Sequence, residues 1–342
     1  KGLIIMLNLM DKLYQQQNLS TVEAENLFGQ LLRGELDPCL IAGLLTALKI
    51  KGETPDEITG AARALIAAAT PFPRPDYAFG DIVGTGGDGL HTINISTISA
   101  VVGATCGLKI AKHGNRSVSS QTGSSDLLAQ FGVNLDMTPA TARACLDATG
   151  VTFLFAPRYH SGMRFAAPVR QALKTRTVFN VLGPLINPAR PTYQMMGVYA
   201  ADLLQPMAKT LQQLGLRSGW VVYGDGLDEI AVHGETRIAE IQEETITMRT
   251  LTPATFGLRQ FALADIQGGD PDENRQITEK ILSGHGSDAQ NTAIAVNLAP
   301  MLLMGKRVTT LQEGAELTLA TLCSGKALDT IHQLAILSHK EA

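Results

Sequence analysis

Through the first seventy residues the apolar positions recur at helical spacing. Positions 58, 61, 62, 65, 66 and 69 form one stripe, which Ala64, Ala67 and Ala68 widen. Start and stop signals divide this region into helices. Ser20 with Glu23 makes a capping box before a helix ending near Gly34, and Asp37-Pro38 opens a second that ends near Gly52. Thr54-Pro55-Asp56-Glu57 combines a capping box with proline at the first helical position. The apolar opening from Leu3 to Met10 is broken at Asn8 and stopped by Asp11. It reads as one face of a first helix rather than a signal peptide. Pro71-Phe72-Pro73-Arg74-Pro75 cannot continue a helix and marks a boundary, giving a helical domain over 1–75.

Beyond the boundary, short β-type runs alternate with helical stretches: Phe79 to Val83, Leu108 to Ala111, Val151 to Phe155, Met195 to Tyr199 and Trp220 to Tyr223. This pattern predicts an α/β domain with a central, mostly parallel sheet flanked by helices. Thr236 to Ile241 and Thr245 to Leu251 are separated by three polar residues and predict an antiparallel edge hairpin, so the sheet is mixed. Gly268 to Gly286 reads as a polar, mobile stretch, and a last helical region is expected from about Asn291.

Composition refines this picture in three ways. Of 342 residues, 45% are apolar and 18% charged, which suits one or two sizeable cores. The 28 basic against 32 acidic residues leave a formal charge of −4, arguing against a general nucleic-acid binder. Cys39, Cys106, Cys145 and Cys323 are isolated, with no CxxC and no Cys-His cluster, so neither a disulfide framework nor zinc is expected. No apolar run approaches the roughly 18 residues a membrane span needs, and a cytoplasmic location is the expectation.

The richest chemistry begins at Asp81-Ile-Val-Gly84-Thr-Gly86-Gly87-Asp88-Gly89, where a strand enters a glycine loop that leads to a helix. Two readings share this loop. It is a turn that needs positive φ, or a cradle whose backbone amides and helix N-terminus approach an anion. A Walker loop is excluded because no lysine occurs between Lys51 and Lys109. Gly84, Gly86 and Gly89 satisfy GxGxxG, but a dinucleotide site needs an acid about 20 residues on, and Gly89 to Ser125 holds none.

That acid-free window spans 37 residues, where about three or four acids would be expected from 32 in 342. It carries Lys109, Lys112 and Arg116. From Lys112 to Ser125, six hydroxyls, two cations, two amides and two glycines suit a sugar phosphate, although a serine-rich loop has the same composition. After the run ending at Tyr223 comes Gly224-Asp225-Gly226-Leu227-Asp228-Glu229. It reads as an acidic turn or, beside a diphosphate, as a hard-cation site suited to magnesium.

Taken together, Gly84-Thr-Gly-Gly-Asp-Gly89, Thr92, Asn94-Ile-Ser-Thr97, Lys112-His-Gly-Asn-Arg-Ser-Val-Ser-Ser120 and Asp228-Glu229 closely resemble the anthranilate phosphoribosyltransferases of tryptophan biosynthesis. Ala167-Pro168-Val169-Arg170 and the segment Arg176 to Ala189 extend the match. The resemblance implies a small helical domain completed by an excursion near 165–190, beside an α/β domain of 76–164 and 191–342. It also implies a homodimer through the helical domains.

By the same resemblance, 5-phosphoribosyl 1-diphosphate would meet Gly84, Gly87, Asp88, Thr92, Asn94, Ile95, Ser96 and Thr97. It would also meet Lys112, His113, Gly114, Asn115, Arg116, Ser117, Val118, Ser119, Ser120 and Ser124. Ser96, Asp228 and Glu229 would surround Mg2+, and Gly84, Asn115 and Arg170 would contact anthranilate. No covalent nucleophile is required. His113 fits a base or a packing role equally.

Two features depart from the family pattern. His160-Ser161-Gly162 stands where many relatives carry His-Pro-Ala, which is expected to loosen the loop leading to Met163 and Arg164, and the chain opens on Lys1 rather than methionine. Two rival readings are a pyrimidine nucleoside phosphorylase, which lacks the Arg176 to Ala189 motif, and a non-catalytic nucleic-acid-binding relative, which should be basic.

Overall fold

The computed structural model describes residues 2–116 and 123–341. The expected caps form. Helix α1 (Gly2–Tyr14) is followed by α2 (Thr21–Leu32), whose Ser20 and Glu23 close a capping box. Asp37 caps α3 (Pro38–Lys51) by accepting from the amides of Cys39 and Leu40, and the Thr54–Glu57 box opens α4 (Pro55–Ala68). Glu57 does more than cap. Buried to 1%, it accepts from Leu19 N at 2.9 Å and from Lys51 Nζ at 2.8 Å. One carboxylate thereby joins the α1–α2 connection, the end of α3 and the start of α4.

The α/β part begins with β1 (Gly80–Gly84), α5 (Ile95–Thr105) and β2 (Ile110–Gly114). It continues through α6 (Ser124–Gln130), α7 (Pro139–Thr149) and β3 (Val151–Phe155). Short helices α8 (Ala156–Tyr159), α9 (Ala167–Leu173) and α10 (Phe179–Leu182) form an excursion before β4 (Tyr193–Gly197) and α11 (Leu204–Gln213). Then come β5 (Ser218–Tyr223), β6 (Thr236–Gln242) and β7 (Thr245–Leu251). The chain closes with α12 (Pro271–Leu282), α13 (Asp288–Met304), α14 (Leu311–Cys323) and α15 (Ala327–Leu337).

The sheet order is β3-β2-β1-β4-β5-β6-β7. Strands β3 to β5 pair in parallel, and β6 and β7 add antiparallel at one edge, as the hairpin pattern predicts. β3 and β4 are buried at every position because both faces are covered, whereas β7 is largely exposed. Two cores result. One centres on α5 and the largely buried α13, and the other joins the N-terminal helices, the excursion, α11 and one side of β4 to β6.

The strand expectations shift by two to three residues at β2 and β4, where buried Lys112 and His113, and Tyr193 with Gln194, replace a purely apolar run. Gly268 to Gly286 is not a mobile stretch. Asp270 and Glu273 close a capping box there and α12 buries Asn274, Thr278, Ile281 and Leu282, a stripe that the low mean hydropathy of the segment conceals. Gly162 does not loosen its loop either: a Cβ there would lie 2.8 Å from Leu32 O, so glycine permits residues 161–165 to pack closely on α2.

Removing Glu57 leaves the ammonium of Lys51, itself only 5% exposed, without its carboxylate partner. Glu57→Ala is expected to cost about 3–5 kcal/mol in urea unfolding, and a loss below about 1 kcal/mol would show that the staple carries no stability.

Candidate active site

From β1 the chain passes to β2 and β3 on one side, while β4 and β5 lie on the other, so the topology switches between β1 and β4. In α/β sheets the crevice beyond the C-terminal strand ends at such a point is where ligands bind. Here the two strands end on paired glycines, Gly84 and Gly197. Three segments meet above them.

The first is the glycine loop, with φ of +67° at Gly86, +78° at Gly87 and +74° at Gly89. It leads to the N-terminus of α5, where the first-turn amides lack intrahelical acceptors. The second is the end of β2. Lys112, 3% exposed, donates to Ile82 O at 2.6 Å and to Ser96 Oγ at 3.1 Å. Gly114 follows, where a Cβ would lie 2.5 Å from Ser124 Oγ, so the end of β2 and the start of α6 approach closely.

The third segment follows β5. Asp225 (φ 48°) and Gly226 (φ 101°) make a tight reversal closed by Gly224 and Leu227, so the segment is a defined turn rather than a loose loop. The returning segment carries Asp228 and Glu229 across the ends of β1 and β4. Ile230 N donates to Asn297 Oδ1 at 2.8 Å, while Asn297 Nδ2 donates to Ile230 O at 3.0 Å. This buried pairing with α13 fixes the arm behind Glu229.

The seating of the arm depends on the two glycines. A Cβ on Gly197 would lie 1.5 Å from Asp228 O, and one on Gly84 would lie 2.1 Å from Asp228 Oδ2. With neither present, Asp228 Oδ2 accepts from Gly86 N at 2.7 Å. The amide of Ser96 donates to the Glu229 carboxylate, and Asp88 approaches Asp228 closely enough to share a hydrogen bond.

Burial and the nearby Asp88 push Asp228 up to about 7. Glu229 is pushed well above the usual carboxylate range by burial and by Asp228, while burial lowers Lys112 against the pull of Asp81, Glu229 and Asp228. Acidic oxygens thus converge without full compensation. Asp88, Asp228, Glu229 and the Ser96 hydroxyl supply oxygen donors only, the chemistry of a hard cation. Among the described residues no three acids, histidines or cysteines are placed to hold an ion alone, which suits a cation shared with ligand phosphates.

The glycosyl transferase family a/b domain matches residues 76–328 and the family's helical bundle domain matches 7–69. An anthranilate phosphoribosyltransferase of Tolumonas auensis is 68% identical over 332 residues, 97% of this chain and 99% of the relative. The chain belongs to the anthranilate phosphoribosyltransferase family. The family's enzyme from Thermus thermophilus superposes with a TM-score of 0.92 at 38% identity, covering 97% of this chain and 99% of that one. The Saccharomyces cerevisiae family member in complex with PRPP and Mg has a TM-score of 0.90 at 28% identity, with 97% of both chains covered.

Several residues expected from the family motifs converge at the crevice: Gly84, Gly87, Asp88, Ser96, Lys112, Asp228 and Glu229. Ile95 and Thr97 are buried on α5, so what they offer is backbone. Thr92 pairs through its backbone with Gln267 at the loop's far end, and Asn94 precedes α5. Asn115 and Arg116 are exposed beyond β2, Asn115 O accepting from Ser124 Oγ at 3.3 Å. Ser117, Val118, Ser119 and Ser120 lie outside the described residues. Arg170 stands on α9 over the Phe179 ring, at 5.2 Å, with no carboxylate within ion-pair distance among the described residues.

His113 turns its side chain towards the excursion. It is 1% exposed, its Nδ1 bonds Gly183 O at 3.1 Å, and its ring meets that of His160 edge-on at 5.2 Å. Burial, with His160 beside it, pushes it down to about 3, which favours the packing reading over a base at neutral pH. The motif reading passed over Gly197 and Tyr199, and it quoted Arg176 within the segment to Ala189 without giving it a role. The signal for Gly197 was present: both Ile82-Val83-Gly84 and Met195-Met196-Gly197 are apolar runs that end on glycine.

Two outcomes follow from this geometry. Gly197→Ala is expected to lift the Asp228 arm and lower turnover at least about a hundredfold, at a stability cost of about 1–3 kcal/mol in urea. Turnover within tenfold of wild type would show that the arm tolerates displacement.

His113 and His160, held neutral by burial to about 3 and about 4, protonate in the unfolded chain below about 6.5. At these two rings the unfolded state then binds more protons, so their contribution to stability falls as pH drops from about 6.5, by up to about 1.4 kcal/mol per unit for each ring, while the raised carboxyls of Asp81, Asp228 and Glu229, which hold protons in the folded state, act in the opposite sense. Urea midpoints at pH 7 and pH 5 measure this. Relative to wild type, His160→Leu should make stability fall less, or rise more, from pH 7 to pH 5, and an unchanged pH dependence would refute the assignment.

Proposed function

We propose that this chain transfers the phosphoribosyl group of 5-phosphoribosyl 1-diphosphate to the amine of anthranilate, releasing diphosphate. The observation that carries the reading is the convergence of the α5 N-terminus, the glycine loop and the Asp228–Glu229 arm at the β1/β4 switch. Gly84, Gly87, Asp88, Thr92, residues 94–97, residues 112–120 and Ser124 are the proposed donor contacts. Their amides, hydroxyls and cations suit a diphosphate.

The oxygen donors Ser96, Asp228 and Glu229 would hold Mg2+ with the diphosphate, and the family member whose structure contains PRPP and Mg supports this. When bound, the ion would neutralise charge developing on the departing diphosphate. Lys112 and the loop amides add to that stabilisation from fixed positions, at no reorganisation cost. The amine attacks the anomeric carbon on the face opposite the leaving group. The C–N bond forms as the C–O bond breaks, and the attacking nitrogen then sheds a proton. Gly84, Asn115 and Arg170 are proposed for anthranilate, whose carboxylate matches a guanidinium that has no carboxylate partner among the described residues.

The domain division at 75/76, with 165–190 contributing to the helical layer, belongs to the same reading, as does a cytoplasmic homodimer. Among the described residues, four of the six exposed large apolar side chains, Leu7, Tyr14, Val22 and Ile50, lie on α1 to α3, which supports association through that layer.

The test follows loss of anthranilate fluorescence with the diphosphate donor and Mg2+. Arg170→Ala is expected to raise the anthranilate KM at least about tenfold with the donor KM changed less than about twofold. Equal effects on both substrates would sink the assignment, and no consumption by folded wild type would sink the activity.

A further inference from the structure

Arg176 lies between α9 and α10, and neither binding nor chemistry has yet used it. It is exposed, but it is not idle. Its Nη2 donates to Gly87 O, and its guanidinium stacks on the Tyr199 ring at 4.0 Å. Lys49 Nζ, at the end of α3, donates to the carbonyl of Arg176 itself at 2.9 Å. Tyr199 N donates to Thr85 Oγ1 at 3.1 Å, so the stacking platform is itself tied to the start of the glycine loop.

The loop needs an external grip. Gly86, Gly87 and Gly89 all have positive φ and no side chain, so little within the loop resists rotation of its peptide planes. Asp228 holds the Gly86 N–H, and Arg176 holds the adjacent residue by its carbonyl. Because a trans peptide directs its C=O and N–H oppositely, pinning Gly87 O towards Arg176 points the Asp88 N–H away from it. The two grips come from different layers of the molecule, one from the arm after β5 and one from the excursion that also bears Arg170.

We propose that Arg176 is a positioning residue for the phosphoribosyl donor: it selects the Gly87–Asp88 peptide orientation in which the loop presents its amide to the diphosphate. The proposal rests on donor binding at this loop. Arg176 acts through the loop and does not itself touch the reacting atoms.

Calorimetric titration with 5-phosphoribosyl 1-diphosphate and Mg2+, paired with steady-state KM values for both substrates, tests it. Arg176→Ala is expected to weaken donor binding about tenfold, with the anthranilate KM at saturating donor within about twofold and the melting temperature unchanged. Arg176→Lys, which keeps a donor for Gly87 O, should recover most of the loss. Tyr199→Leu, which removes only the platform, should weaken donor binding about threefold.

Donor affinity unchanged in Arg176→Ala, a parallel rise in both KM values, or no recovery with lysine would each overturn the proposal. If Arg176→Ala does not fold, Arg176→Lys and Tyr199→Leu decide it. Wild type that binds no donor would instead overturn the donor site, a failure visible before any substitution is made.

Discussion

The site depends on a steric condition: two neighbouring strands must end without side chains so that a third segment can cross them. Gly84 and Gly197 are in register, and the Asp228 backbone passes where a Gly197 Cβ would stand. That crossing brings the two carboxylates of the arm over the switch point and lets Asp228 hold the glycine loop by one amide. The Asp225–Gly226 reversal and the buried Asn297 anchor determine where the arm begins and ends. Rigid elements therefore carry each group, and the loops between them are held by named hydrogen bonds.

Electrostatics then gives the crevice its character. A protein with net charge −4 brings Lys112 and Ser96, from its acid-free window, next to a buried acidic pair. Burial raises both Asp228 and Glu229, with Asp88 adding to the first and Asp228 to the second, while Lys112 sits close enough to offset part of that charge. Such an arrangement favours a ligand that is itself both anionic and cation-bearing, because a magnesium diphosphate satisfies the amides and the carboxylates together.

Much of the fold was legible because it is locally encoded. Capping boxes at Ser20 and Thr54 and the capping aspartate at residue 37 appear as helix starts in the structure. Polar residues in buried strands were harder: Lys112, His113 and Gln194 interrupt the apolar runs and displaced the expected strand ends. The stretch before Gly286 read as mobile because α12 exposes most of its surface and buries only a narrow stripe. The site's motifs were legible as composition, but the side chain of His113 could not be oriented from a string, and only its burial against His160 and Gly183 favours packing over a base.

By itself the sequence determined the element types, the two-part organisation, the anion-suited loops and the family, since each follows from neighbours along the chain or from motifs of fixed spacing. Tertiary structure alone decided that Gly84, Gly197 and Asp228 share one point, that Arg176 reaches Gly87 across the crevice, and that Glu57 joins three helices. All but the Lys51–Glu57 bond link residues separated by tens to more than a hundred positions. Their existence depends on strand order and side-chain volume, quantities that no local pattern contains.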